Sequence, residues 1–282
     1  MTAAAIEGHV LQAPSEGDRI LARSGSLEAR LALSAAEIEA AQRLRYHVFY
    51  DEMHAQPTPE MAAEGRDFDR YDAFCDHLLV FDHDAGGVVV GCYRLLRREV
   101  AERHGGFYSA AEYDLSALLA QSRPDSRFLE LGRSCVAKAY RSSQVIQFMW
   151  RGLLAYLIKN DIEMMFGCAS LPGTSPETLK EELSFLHHFH SVPADLPQVR
   201  AIPPRYVSMD LIPKDAINPQ EALHELPPLV KGYIRAGAFI GDGAVIDHQF
   251  NTTDVFIYFP TTRLDKRLRA FLQKRLKPES AG

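Results

Sequence analysis

Nine residues in the middle of the chain, Phe128-Leu129-Glu130-Leu131-Gly132-Arg133-Ser134-Cys135-Val136, read as a β-strand in which a carboxylate and a guanidinium flank a glycine inside an apolar run. Side chains alternate between the two faces of a strand, so Glu130 and Arg133, three residues apart, would point to opposite sides of a regular sheet. A bulge at or beside Gly132 inserts one extra residue, swings both charges onto one face and interrupts the ladder. The plain structural alternative is a buried ion pair or two snorkelling side chains.

The rest of the composition suits such a sheet. The chain has 282 residues, 46% of them hydrophobic, enough for one large domain or two small ones. Cysteines at 75, 92, 135 and 168 form no CxxC pair and read as reduced, buried thiols of a cytoplasmic protein. No basic start leads into an apolar block, and no window of about 18 uncharged apolar residues occurs, so neither a signal peptide nor a spanning helix is expected. The net charge of −6 is uneven: residues 263–282 carry seven basic against two acidic residues, and the remainder is −11. Nucleic-acid binding by the body is disfavoured, and any anionic partner belongs to the tail.

Along the chain, residues 1–25 lack periodicity and are expected to be a flexible leader before a domain over 26–262. Leu27–Leu33 reads as a strand. Ser34 with Glu37 caps a helix running to about Met53, ended by Pro57-Thr58-Pro59. An acidic loop with Asp67, Asp69, Asp72 and Asp76 leads into a hairpin, His77–Phe81 and Val88–Leu96, turning at Gly86-Gly87. Then follow a turn at Gly105-Gly106, a helix Ser109–Leu119, the central strand, a helix Ser142–Ile158, a strand Met164–Ser170, a helix Glu177–Phe189, a strand Arg205–Leu211, a helix Pro228–Ala236, and two short strands within Ala244–Phe259. This order makes a mixed α/β (α+β) sheet without regular βαβ repetition.

Absence of GxGxxG, GxxxxGK[ST] and GxSxG disfavours dinucleotide, P-loop and α/β-hydrolase chemistry. His187, His188 and His190 cluster, but neighbouring helical side chains diverge by about 100°, so no metal is expected. His77 and Asp82 stand in an HxxxxD spacing, yet on a strand they lie about 16 Å apart, too far for a dyad. Taken alone, the acidic loop reads as solvated and Asn251-Thr252-Thr253-Asp254 as a turn. Arg94, within Val88–Leu96, needs a carboxylate partner from the protein or from a ligand.

Several stretches together resemble one family. Arg45 and Phe49, Asp69 and Asp72, Val90-Gly91-Cys92-Tyr93-Arg94-Leu95-Leu96, Gly105-Gly106-Phe107-Tyr108, Glu130-Leu131-Gly132-Arg133-Ser134-Cys135-Val136, Leu226-Pro227-Pro228 and Gly241-Asp242-Gly243 look like the ornithine-acyl carrier protein N-acyltransferases, over roughly Leu27–Phe259. The first half is also similar to acyl-homoserine-lactone synthases, but no Trp follows Phe49 where those enzymes hold S-adenosylmethionine. That favours an amino-acid acceptor over a signal synthase, with lysine or glutamine as alternatives to ornithine.

The resemblance implies a GNAT-like acyltransferase fold, a mostly antiparallel sheet with helices on both faces and a splayed strand pair between Glu130–Val136 and Met164–Ser170. It implies transfer of a 3-hydroxyacyl group from acyl carrier protein to the α-amino group of L-ornithine, with no cofactor beyond the donor's phosphopantetheine thioester. The implied catalytic residues are Glu130 as base and Arg133 as an orienting group. Backbone donors near Cys135 and Val136 would meet the oxyanion, and Arg45, Phe49, Asp69, Asp72, Arg94 and Phe107 would line the substrate site. Lys138, Arg141, Ser142 and Ser143 would hold the single phosphate of the donor arm, in a loop lacking the usual glycines. Leu264, Leu268, Phe271, Leu272 and Leu276 fall on one helical face among basic residues, so 263–282 either lies peripherally on the cytoplasmic membrane or docks on the body.

Overall fold

The computed structural model of the chain describes residues 20–141 and 143–263. Its strands are β1 (Ile20–Ser24), β2 (Leu27–Leu31), β3 (Asp76–Asp82), β4 (Val88–Arg97), β5 (Tyr113–Asp114), β6 (Phe128–Val136), β7 (Met164–Pro172), β8 (Arg200–Ala201), β9 (Tyr206–Val207), β10 (Phe239–Asp247) and β11 (Thr252–Pro260). The helices are α1 (Ala35–Tyr46), α2 (Pro59–Glu64), α3 (Arg98–Arg103), α4 (Ser116–Ala120), α5 (Ser143–Lys159), α6 (Lys180–His190), α7 (Pro219–Glu225) and α8 (Pro228–Ala236). One sheet runs in the order β1-β2-β3-β4-β6-β7-β11-β10-β8-β5, with β9 on β10. Neighbours are antiparallel except β6–β7 and β10–β8, which gives the mixed, mostly antiparallel sheet expected.

Local chemistry explains the elements around the site. Ser34 Oγ caps α1 by accepting from the Glu37 N–H, while the Glu37 carboxylate accepts from the Leu33 N–H and from Arg30. The helix continues as a π-helical turn, His47–Glu52, a distortion that brings the Tyr50 hydroxyl to Asp67. On α5, Val145, Phe148, Met149, Leu153, Tyr156 and Leu157 are all buried, as their spacing predicts. They form the main core with Leu78, Tyr93, Leu95, Leu129 and Leu131 on one face of the sheet. A second core around Phe107, Tyr113, Phe128, Phe166 and Phe256 covers much of the other face.

Several expectations need correction. Ile20–Ser24 is a strand paired with β2, so the presumed leader already belongs to the sheet at its last residues. The helix expected over Ser109–Leu119 is a 3-10 turn (Tyr108–Ala111), then β5, then α4. Tyr113 pairs with Ala201, and its hydroxyl donates to the carbonyls of Gly243 and Asp254, long-range bonds that override local helix preference. The strand over Arg205–Leu211 shrinks to Tyr206–Val207, because the Leu211 and Ile212 amides turn away to Ser184 Oγ. β10 and β11 are each nine residues, longer than the short pair expected. Most of the predicted tail helix, residues 264–282, lies outside the described residues. Among the described residues no helix is long and apolar enough to cross a membrane.

Candidate active site

β6 and β7 pair for three rungs, Phe128–Met164, Leu129–Met165 and Glu130–Phe166, and then part. At the fork Gly167 approaches β6 so closely that a Cβ there would sit 2.2 Å from the Leu131 carbonyl oxygen, which excludes any other residue. Leu131, Gly167, Cys168, Tyr233 and Ile257 line a cavity of about 10 Å³ at that point, room for one water. On the opposite edge of β6, Cys135 faces Cys92 and Gly132 faces Arg94, which leaves Arg133 and Ser134 together opposite Tyr93. The bulge therefore sits one residue beyond the glycine. Arg133 itself takes the left-handed conformation, φ +50°, at a cost of about 1–2 kcal/mol for a residue with a side chain. Glu130 and Arg133 do share a face: the Tyr108 N–H donates to Glu130, and Arg133 donates to the Tyr108 hydroxyl.

Two aspartates hold Arg133 in place, and a third ties in two further arginines. Arg133 Nε lies 3.2 Å from Asp67 Oδ2 and its Nη2 3.4 Å from Asp69 Oδ2, with its guanidinium over the rings of Tyr108 and Phe250. Arg45, from α1, bonds Asp67 at 2.7 Å and Asp72 at 2.9 Å. Arg94, from β4, bonds Asp69 at 2.6 Å and lies 3.5 Å from Asp72. The six side chains form one interlocked and electrically neutral group. Its centre is Asp67, wholly buried, which sequence reasoning left among loop acids. Burial alone would raise the Asp67 carboxyl; Arg133 and Arg45 outweigh it and hold it below the usual range. Burial likewise opposes Asp72, yet Arg45 and Arg94 bring it down to about 2.

The expected site residues divide accordingly. Arg45 and Asp72 are sealed inside the network and support it from behind. Phe49 packs edge-on against Phe250, the ring beneath the Arg133 guanidinium, and Phe107 packs against Phe166 in the second core. Arg94 is as buried as Arg45 and Asp72, whereas Arg133 and Asp69 stand nearer the open side, with side-chain exposures of 12% and 22%. Cys135 is buried with its sulfur 3.6 Å from that of Cys92, and Val136 faces Gly91 in the ladder. In the loop after β6, Arg141 bonds Glu52 at 2.7 Å and the Val136 carbonyl at 2.9 Å, while Lys138 is exposed. Ser142 and the side chain of Ser143 lie outside the described residues.

Glu130 is almost fully buried and accepts from the N–H groups of Tyr108 at 2.7 Å and Ser109 at 2.6 Å, and from the Ser109 hydroxyl. Burial pushes its carboxyl up against the pull of those donors. It thus fastens the 3-10 turn beside the fork. At the end of that turn Glu112 meets the Cys168 thiol at 3.3 Å and Arg205 at 3.1 Å, and its carboxyl is raised by burial. Glu112, Asp247 and Asp254 bring carboxylate oxygens within 4.8 Å of one another. Sequence reading missed this group, because Glu112 seemed to lie on a helix and Asp254 in a turn.

Burial and the Glu112 charge lift Asp254 to about 7. An unfolded aspartate titrates near 3.9, so between about pH 4 and 7 the folded chain holds a proton that the unfolded chain has released, and stability falls as pH rises through that window. Asp254→Asn should remove this part of the fall in a series of thermal melts across it; parallel pH profiles for the two proteins would refute the assignment.

A forked parallel pair beside a bulged strand, with a charged network on one face, is the arrangement expected of a GNAT-like acyltransferase fold, and the family described as an acetyltransferase (GNAT) domain matches residues 44–151. The chain is 52% identical over 252 residues to the L-ornithine N(alpha)-acyltransferase of Rhizobium meliloti (strain 1021), covering 88% of this chain and 84% of that one. It is 53% identical over 261 residues to that of Brucella abortus (strain 2308), covering 90% and 91%. It belongs to the L-ornithine N(alpha)-acyltransferase family. Among solved structures, the AHL synthase LasI aligns with 85% of this chain and 95% of its own at 15% identity and a TM-score of 0.44.

Proposed function

We propose that this chain transfers a 3-hydroxyacyl group from acyl carrier protein to the α-amino group of L-ornithine, giving lyso-ornithine lipid. The observation that carries the reading is the 52–53% identity to two L-ornithine N(alpha)-acyltransferases over nearly the whole chain. The site offers what a substrate with one carboxylate and two amines needs. Arg133 engages Asp67, Asp69 and Tyr108 and, with five N–H donors, keeps capacity for the ornithine carboxylate. Asp69 and Asp72, expected to line the substrate site, are matched by three arginines, whereas the Glu112, Asp247 and Asp254 group is matched by Arg205 alone among the described residues. The ammonium therefore goes to that second group.

The donor's pantetheine arm enters between β6 and β7, which part further to admit it. The neutral amine attacks the thioester carbonyl, N–H groups freed at the Arg133–Ser134 bulge receive the oxyanion, and the pantetheine thiolate leaves. Glu130 accepts the amine's proton through a water, since its oxygens already take three hydrogen bonds. Lys138 meets the phosphate of the arm, with Arg141 released from Glu52 to join it. The basic tail keeps the protein at an anionic membrane surface; liposome sedimentation with and without residues 264–282 tests this, and equal binding removes it.

The decisive assay supplies acyl carrier protein loaded with a 3-hydroxyacyl group, together with ornithine, lysine, glutamine or S-adenosylmethionine, and reads products by mass spectrometry. The expected product is the ornithine amide. Faster acylation of another amino acid, or release of methylthioadenosine, would overturn the reading.

A further inference from the structure

The acceptor chemistry lies on one face of β6; the opposite face carries a polar feature that the transfer reaction leaves unused. Tyr93 is the single β4 residue facing the two-residue bulge, since its neighbours Cys92 and Arg94 pair with Cys135 and Gly132. Alternation sends Cys92 and Arg94 toward the arginine network and turns Tyr93 into the main core beneath α5. There its hydroxyl lies 3.3 Å from that of Tyr233 on α8. Both residues are nearly inaccessible, at 1% and 3% exposure, and Tyr233 packs on Trp150. Tyr233 also lines the fork cavity with Leu131, Gly167 and Ile257.

Packing alone would be met by phenylalanine, without the cost of placing hydroxyls among aliphatic groups. A hydroxyl carries one hydrogen and two lone pairs, so one bond between two phenols leaves a hydrogen and three lone pairs. The Ser134 side chain takes up part of that remainder at Tyr93. The rest lies where the bulge and the fork meet. C3 of an acyl chain is two carbons beyond the thioester carbonyl, and Tyr93 is the residue that faces the bulge where that carbonyl would be held.

We propose that the Tyr93–Tyr233 pair is the specificity device of the acyl pocket: it hydrogen-bonds an oxygen substituent at C3 of the incoming chain and thereby selects 3-hydroxyacyl over unsubstituted acyl donors. This rests on the acyl-transfer reading given above. The pair touches only the donor, so its substitution alters donor choice and not the ranking of amino-acid acceptors.

The test compares kcat/KM for 3-hydroxyhexadecanoyl and hexadecanoyl thioesters of acyl carrier protein in the parent, Tyr233→Phe and Tyr93→Phe, with ornithine saturating. The parent is expected to favour the hydroxylated donor, and each substitution to narrow that ratio by about tenfold, the scale of one lost hydrogen bond. The 3-hydroxy rate should fall further than the unsubstituted rate. A parent without preference, or two folded variants that lose both donors in equal proportion, would overturn the proposal and make the pair a packing feature. Failure of the parent to acylate any amino acid from either donor would instead overturn the acyl-transfer reading, and this proposal with it.

Discussion

Asp67→Ala is expected to cost about 3–5 kcal/mol of stability, because removing one partner of a buried ion pair strands the other charge. For a domain of this size that corresponds to a fall in Tm of roughly 10 °C. The size of the effect follows from position. Asp67 is wholly buried and takes Arg45 and Arg133 on one carboxylate oxygen and the Tyr50 hydroxyl on the other. Arg45 would keep Asp72 and the residue 67 carbonyl, whereas Arg133 would keep the weaker contact with Asp69 while still in a left-handed conformation. Activity should fall with stability, since the bulge loses its anchor. Asp67→Asn, which keeps an acceptor but no charge, should lie between the parent and the alanine variant. A thermal melt of Asp67→Ala within about 2 °C of the parent would show that the network holds without its centre.

Glu130→Gln is expected to lower kcat by about 10²–10⁴-fold, the usual contribution of a general base. A stability loss of about 1–3 kcal/mol should accompany it, because the new amide presents a donor to groups that are themselves donors. The two parts can be separated. Were Glu130 only the fastening of the Tyr108–Ala111 turn, kcat would follow the loss of folded protein and the pH–rate profile would keep its shape. As a proton acceptor whose carboxyl burial has raised, it should give an acidic limb displaced above the ordinary carboxylate range, and the limb should vanish in the glutamine variant. A folded Glu130→Gln protein with full turnover at saturating ornithine would remove the base assignment.

Much of this is legible in the amino-acid sequence, where chemistry and local pattern agree. A glycine between two charges in an apolar strand foretold the bulge and the shared face of Glu130 and Arg133. The hairpin before it and the spacing of α5 were equally plain. What stayed hidden depended on groups distant in the chain. Asp67 looks like Asp69 or Asp76 until arginines from α1 and β6 converge on it. Glu112 and Asp254 are separated by more than a hundred residues and meet only because β5 reaches across to β8 and β11 folds back on β10. β1, Ile20-Leu21-Ala22-Arg23-Ser24, is as long as β2 but shows no apolar alternation, and Tyr93 and Tyr233 read as ordinary core aromatics until their hydroxyls are brought together.

The three-rung ladder between β6 and β7 makes the pair behave like a pair of tongs. Its pivot is stiff: Phe128 and Phe166 are set in the second core, and Glu130 is tied to the turn beside it. The jaws begin at Leu131 and Gly167, where a single missing side chain lets them close almost to contact. Beyond the pivot each jaw is backed by another strand, the β6 segment to Val136 by β4 and the β7 segment to Pro172 by β11, while Glu130 sits on the last paired rung. One joint thus separates two kinds of backbone: a fully paired ladder that fixes Glu130 on one side, and a pair of facing strand edges left without each other's hydrogen bonds on the other.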